Sequence, residues 1–421
     1  MALFIPFQGV RYRVGDAELR EYVCGPYDVI SRDERAALLE KNADNIVSVE
    51  LPEGAESRYA DSAARFAKMM ASGLLMPDRN HCFYVYKMEF EDEGEPVSVE
   101  GVIGRLRLEA PEDGVVFPHE NTYSGAKADR LSLMQAVTAN ISPVYALFGD
   151  EDRAVRLLIA DATQRPPAAS VTVDSVKHSI YPVRGVKASQ LTAAFTGKAI
   201  FIADGHHRYE TALNYKAWRE ALGETVDDSH PANYIMTACV PLEQPGLRIL
   251  PTHRVLSGFP GFGREKLFAA AEEFFEISDI DKGSAKRALL DSHKARETSF
   301  LYYDGSFKLF RLKGGAELSA LMPGKSDAYR RLGVSALHAI VIDRFFSPAY
   351  PDKALEDALY YTRDFGEATA LIDNGGACCA FLLNPTRVTE IADIALNGER
   401  MPQKSTYFYP KLITGLVINK M

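Results

Sequence analysis

The chain changes character abruptly at Ala199-Ile200-Phe201-Ile202-Ala203-Asp204-Gly205-His206-His207-Arg208-Tyr209-Glu210. Ala199 to Ala203 is short and uniformly apolar, which predicts a buried strand. Tyr209, Ala212, Leu213 and Ala217 then recur at helical spacing, and Gly223 supplies a stop. A strand feeding a helix through such a turn can build an anion site. The first backbone N–H groups of a helix have no internal acceptor and carry partial positive charge. Gly205 would let a ligand approach the backbone. Arg208 would add a forked, permanent cation suited to phosphate or carboxylate. His206, His207 and Asp204 can move protons, and Asp204 could hold a metal ion. The plainer reading makes Asp204 a helix cap and the histidines exposed loop residues.

Three further segments concentrate similar chemistry. Phe117 to Arg130 holds His119, Glu120, Thr122, Lys127, Asp129 and Arg130. Glu120 could act as a general base beside His119, while Lys127 and Arg130 could neutralise phosphate. Its alternative is a solvated polar loop, with Asp129 at a helix start. In Leu250-Pro251-Thr252-His253-Arg254 an apolar run again ends in hydroxyl, imidazole and guanidinium, although His253 alone also suits a buried structural role. The stretch from Met401 to Lys411 carries Lys404, Ser405, Thr406 and Lys411. Lys404-Ser405-Thr406 follows Gly398 at P-loop spacing, but Gln403 replaces the second glycine and Tyr407-Phe408-Tyr409-Pro410 cannot continue as the required helix, so a Walker A site is rejected. His338 lies in an apolar run and reads as a core histidine.

These segments need elements to position them. Asp33–Lys41, Arg58–Leu75, Leu131–Ala139, Asp152–Ala162, Lys266–Phe275 and Ala285–Lys294 read as helices. Cys82–Phe90 and Val97–Leu108 read as a hairpin turning at Glu91–Pro96, with further strands at Pro143–Phe148 and Ser299–Leu312. Thr122–Asp129 reads as a loop. Arg165-Pro166-Pro167 and Ser257–Phe262 are breakers. They divide the chain into residues 1–164 with the His-Glu-Asn-Thr loop, 165–256 with the Asp-Gly-His-His-Arg turn, and 257–421 with the basic terminal motif. Irregular alternation of helices and strands predicts an α+β or mixed α/β fold.

Composition narrows the partners. With 421 residues and a net charge of −9, there is no global basic field to attract nucleic acid. The apolar start Ala2-Leu3-Phe4-Ile5-Pro6-Phe7 lacks a basic leader and reads as a first strand. No apolar run approaches the roughly 18 residues of a membrane span. The five cysteines are odd in number and form no Cys-x-x-Cys pair, which disfavours a disulfide framework or structural zinc site. A cytoplasmic protein, with a homodimer open to it, is the simplest expectation.

Read together, the segments resemble a widespread bacterial and archaeal family designated a domain of unknown function. The resemblance rests on Gly25-Pro26-Tyr27-Asp28-Val29-Ile30-Ser31, His119-Glu120-Asn121-Thr122 with Lys127-Ala128-Asp129-Arg130, Ala203-Asp204-Gly205-His206-His207-Arg208, Pro251-Thr252-His253-Arg254 and the block Met401 to Val417. The Asp-Gly-His-His-Arg turn is also similar to the phosphate turn of the ParB/sulfiredoxin superfamily, which includes free serine kinases. That similarity implies a ParB/sulfiredoxin-like core carrying additional α+β domains, with Gly205 to Arg208 on phosphate and Asp204 placing a metal or hydroxyl. The chain is much longer than a free serine kinase. It places His206 and His207 where sulfiredoxins carry their nucleophilic cysteine, so sulfinic-acid reduction is not expected.

The family's association with serine biosynthesis implies phosphoryl transfer on a small hydroxy amino acid or its phosphate, as a phosphoserine phosphatase or a serine phosphotransferase. Such chemistry would use Mg²⁺ and ADP or ATP. In it, Arg208, Lys127, Arg130 and Lys404 would clamp phosphate, Glu120 would be a base, and His206 or His207 would carry protons or accept the phosphoryl group. The alternatives are a nucleotide-binding regulatory protein without turnover and a metal hydrolase using His119, His206, His207 and Asp204 with Zn²⁺ or Mn²⁺.

Overall fold

A computed structural model describes all residues except 55–56, 121–123, 259–262, 350–354 and 356–357. The architecture is mixed α+β, as the element pattern predicts. The chain forms two compact units. Unit 1 comprises Met1–Pro118, Thr122–Arg248 and Phe408–Met421; unit 2 comprises His119–Asn121 and Ile249–Tyr407. The three-block reading therefore meets a different division. Arg165-Pro166-Pro167 lies inside unit 1 as a helix-to-strand connection, and the change of unit falls at Arg248–Ile249 rather than at Ser257–Phe262.

Unit 1 is built on one large mixed sheet. Its strands are β1 (Phe4–Ile5), β2 (Phe83–Asp92), β3 (Glu95–Arg107), β4 (Val116–Phe117), β5 (Val144–Phe148), β6 (Ala169–Val173), β7 (Val176–Val183), β8 (Ile200–Asp204) and β9 (Tyr234–Pro241). Their order is β4-β8-β5-β9-β3-β2-β7-β6, with β1 also paired to β3. The expected hairpin is present, and its turn contracts to Glu93-Gly94 with Asp92 opposite Glu95. Period-two alternation points Phe83, Val85, Ile200 and Ile202 into the core with Phe4, Val102, Val144 and Phe148. Helices α1 (Ser124–Val137), α2 (Val186–Phe195) and α3 (His206–Ala221) flank the sheet in sequence, and α2 adds Leu191 and Phe195 to that core.

Helix Arg32–Lys41 opens with a capping box: Ser31 accepts from the Glu34 N–H, and Glu34 accepts from the Ser31 N–H at 2.7 Å. The predicted helix from Arg58 ends at Ala71, and that from Asp152 begins at Ala154. The loop expected at Thr122–Asp129 is corrected. Helix α1 starts at Ser124, so Lys127, Asp129 and Arg130 are helical. Its amphipathic pattern is weak, because its early residues are small or polar and Lys127 and Asp129 bond to partners on other elements. Thr122 lies outside the described residues.

Unit 2 contains β10 (His253–Leu256), β11 (Phe275–Ile280), β12 (Ser299–Tyr303), β13 (Phe307–Leu312), β14 (Leu359–Thr362) and β15 (Cys379–Leu383). The sheet is antiparallel in the order β11-β13-β12-β15-β10-β14. Helices α4 (Ala285–Lys294), α5 (Phe365–Asp373) and α6 (Val388–Leu396) accompany it. Leu289 of α4 and Ala368 of α5 pack with Val255, Leu301, Leu309 and Leu382. The helix expected at Lys266–Phe275 runs from Arg264 to Ala271, and Phe275 begins a strand instead.

Gly104 in β3 lies against aromatic rings of the unit 1 core. A Cβ there would stand 2.6 Å from Phe83 and 2.7 Å from Phe4. We expect Gly104→Ala to cost about 1–3 kcal/mol by overpacking. Urea unfolding of the two proteins checks this, and equal midpoints would show that the rings yield freely.

Candidate functional site

The Asp204 turn is built by its neighbours. Strand β8 pairs antiparallel with β5, and the register shifts between Ile202 and Asp204. Such an irregularity re-aims the side chain that follows. Gly205 then takes φ +88° and forms the cap of α3, without a side-chain capping bond. A Cβ at Gly205 would lie 2.8 Å from the Arg208 Nε, so glycine satisfies both the backbone angle and the close approach. Asp204 is therefore not a helix cap. Arg208 reaches its carboxylate at 2.8 Å through Nη2, and Lys411 reaches the other oxygen at 2.5 Å.

Arg208 is 8% exposed, and its Nη1 donates to the Pro143 carbonyl. Its Nε–H has no acceptor among the described residues. Burial opposes ionisation of Asp204, but Lys411 and Arg208, with a smaller contribution from His206, hold it well below the usual carboxylate range. Burial likewise opposes the Arg208 charge, while Asp204, Asp28, Tyr27 and Glu50 favour it and raise its pKa overall. His206 is 7% exposed and His207 is half-buried, so the first turn of α3 is not a pair of solvent-facing loop histidines. Tyr209, Ala212 and Tyr215 form its buried face, whereas Ala217 is exposed.

Several residues at this site carried no candidate role in the sequence. Glu50 ends the short helical turn Val47–Glu50 and is buried. Its carboxylate accepts from Ser142 Oγ at 2.8 Å, and its carbonyl accepts from Arg130 Nη1 at 2.6 Å. Burial drives the Glu50 pKa above its ordinary value, against the pull of Arg130, Ser142 and Arg208. Tyr27 lies under the Arg130 guanidinium at 4.6 Å, and burial pushes its hydroxyl up to about 12, with Arg208 opposing. Tyr145 is buried, feels the Asp204 charge, and has no partner for its hydroxyl among the described residues. Tyr27 and Asp28 had a signal, the Gly-Pro-Tyr-Asp motif. Glu50 had only a carboxylate closing an apolar run.

Two carboxyls in one charge cluster are thus pushed apart, Asp204 downward and Glu50 upward. Such separation is how acid and base roles are divided within a site. Lys127 pairs with Glu210 at 2.9 Å, and Arg130 pairs with Asp129 at 2.6 Å. Among the described residues no group of three or more His, Cys, Asp or Glu side chains could hold a metal ion. A cation at Asp204 would have to displace Lys411 or Arg208.

The remaining predicted residues cluster within unit 2. His119 bonds Thr406 Oγ1 at 3.2 Å, and Glu120 accepts from the Lys404 N–H at 2.9 Å. Arg254 donates to the carbonyls of Thr252, Gln403 and Lys404. Ser405 Oγ donates to the Pro402 carbonyl. His253 Nδ1 accepts from the Leu383 N–H at 3.1 Å; burial and Arg254 lower it to about 4, against Asp364, so it is a neutral structural ring. The four segments are thus gathered as two sets, each inside one unit.

Asp204→Asn should destabilise the protein by about 3–5 kcal/mol, because it leaves Arg208 and Lys411 without their anion. The pairing is fully present above the unfolded aspartate value of about 3.9 and is lost as pH falls from there through the lower folded value. Urea midpoints should therefore differ by a constant amount from pH 8 to 5 and converge only below about pH 4. Convergence above pH 5 would contradict this assignment.

The profile of the family described as "Protein of unknown function (DUF1015)" matches residues 4–335, and the chain belongs to that family. No functionally curated protein matches significantly. Among solved structures, a conserved hypothetical protein from Pyrococcus furiosus is 13% identical, covering 76% of this chain and 95% of that one with a TM-score of 0.37. A mutant free serine kinase in complex with ADP is 12% identical, covering 75% and 92% with a TM-score of 0.38. SbnI with a C-terminal truncation, from Staphylococcus aureus, is 10% identical, covering 75% and 87% with a TM-score of 0.37. Scores this low do not carry a functional assignment.

Proposed function

We propose that this member of the DUF1015 family is a phosphoryl-transfer enzyme whose phosphate binds at the Gly205 turn of unit 1. The observation that carries the reading is a buried arginine folded back over the start of its own helix. Cations are ordinarily unfavourable there, because the helix terminus is itself positive. Asp204 compensates Arg208 and Lys411 and holds both in place. The Arg208 Nε–H, without an acceptor among the described residues, joins the first N–H groups of α3 as a donor set for an oxyanion. Tyr145 adds a buried hydroxyl.

The roles follow from the electrostatics. Asp204 is too strongly stabilised as an anion to serve as a proton carrier near neutral pH, and it acts by positioning the cations. Glu50, raised from its ordinary value by burial, is the better acid-base candidate. His206 or His207 accepts the phosphoryl group or relays a proton. The substrate is a small hydroxy amino acid or its phosphate, with serine and phosphoserine as the first pair and ADP or ATP as the nucleotide. In the hydrolytic direction the phosphorus–oxygen ester bond breaks, water supplies the new oxygen, and the leaving alkoxide takes a proton. Any Mg²⁺ would be held mainly by the nucleotide phosphates, because the described side chains offer no cluster of three or more metal-ligating residues.

The test measures phosphate release from phosphoserine, with and without ADP, and phosphorylation of serine by ATP. Arg208→Met should lower kcat about 10²–10³-fold, the usual effect of removing one transition-state donor. Glu50→Gln should lower kcat and flatten one limb of the pH profile. Folded wild-type protein that turns over none of these substrates, or an Arg208→Met protein with full activity, would overturn the proposal.

A further inference from the structure

Unit 2 contains a cavity outside the Gly205 turn whose chemistry is equally one-sided. It has a volume of about 50 Å³ and is lined by Thr252, Arg254, His293, Arg331, Arg387 and Ser405, among others. Arg296 also lines it, and it adjoins a wider groove of about 300 Å³ that shares Arg296, Arg331 and Arg387. The cavity alone has room for little more than one or two waters, the size of an oxyanion rather than of a ring.

Its charges do not cancel. The two carboxylates on its wall are engaged: Glu390 accepts from the Arg387 N–H at 2.7 Å and pairs with that guanidinium at 3.2 Å, while Glu297 pairs with Arg311 at 3.0 Å. Arg296 and Arg331 form no ion pair among the described residues, and Arg254 feels the Glu120 charge without forming a direct ion pair with it. Arg254 is the sharpest case. It is 1% exposed, its terminal nitrogens reach only backbone carbonyls, and its Nε–H has no acceptor among the described residues. Burial outweighs the help Arg254 receives from Glu120 and lowers its pKa; a buried charge without a directly paired anion is costly, and an anion would relieve it. The nine-residue helix α6 contributes its first turn to the same wall through Arg387 and Glu390. The N–H groups of a helix start favour an anion in the same way.

We propose that this cavity is a second oxyanion site, taking the phosphate group of a small phosphorylated ligand. The phosphate sits among Arg254, Arg331 and the start of α6, and the rest of the ligand extends into the groove past Arg296. The site involves none of the residues assigned to phosphoryl transfer, so it stands or fails independently of that reading.

Titration calorimetry of the full chain with inorganic phosphate tests the proposal. One binding event should survive Arg208→Met and weaken at least about tenfold in Arg296→Ala/Arg331→Ala, whose side chains are exposed. Either single variant gives the same reading if the double variant loses its circular dichroism signal. Glycerol phosphate binding more tightly than inorganic phosphate would identify a phosphomonoester ligand; equal or weaker binding would identify the free ion. An arginine double variant that titrates like wild type, or a wild-type chain that binds neither probe, would overturn the proposal.

Discussion

The Asp204 carboxylate is the constraint on which the unit 1 site depends. It accepts from Arg208 within its own helix start and from Lys411 near the other end of the chain. An arginine at the first turn of a helix would otherwise oppose the partial positive charge already there. With Asp204 in place the two cations can stand beside the backbone N–H groups of the helix start. The ion pair therefore does more than neutralise charge: it concentrates donors where an anion can use them. It also ties Phe408–Met421 into unit 1, far in sequence from most of that unit.

Around this pair the unit places groups with opposed electrostatic tendencies. Asp204 is kept ionised by adjacent cations, whereas burial keeps Glu50 closer to protonation. Arg130 links the two halves of the cluster by bonding the Glu50 backbone and covering Tyr27. The family motif at Gly25 to Ser31 thereby acquires a physical role. Tyr27 and Asp28 shape the field at Arg208, and Ser31 caps the helix that follows.

The local part of this arrangement was legible in the residues. Ala199 to Arg208 announces a strand, a tight turn and a helix, because apolar uniformity, one glycine and the Tyr209–Ala212 spacing all agree. The tertiary part was not. Nothing near Glu50 tells that Ser142 and Arg130 will meet it, and Lys411 gives no sign of pairing with Asp204. The polar stretch up to Asp129 reads as a loop, although a helix begins at Ser124 and its Lys127 and Asp129 are used by other elements. The unit boundaries were hidden for a related reason: His119 and Glu120 join unit 2, and Phe408–Met421 returns to unit 1. Composition cannot reveal such crossings.

The most direct test is a crystal structure of the full chain grown in saturating inorganic phosphate. The account predicts a phosphate ion at the start of α3, with oxygens about 2.7–2.9 Å from the Arg208 guanidinium and a first-turn backbone N–H. Water in that position, with Asp204, Arg208 and Lys411 arranged as described, would contradict the central claim.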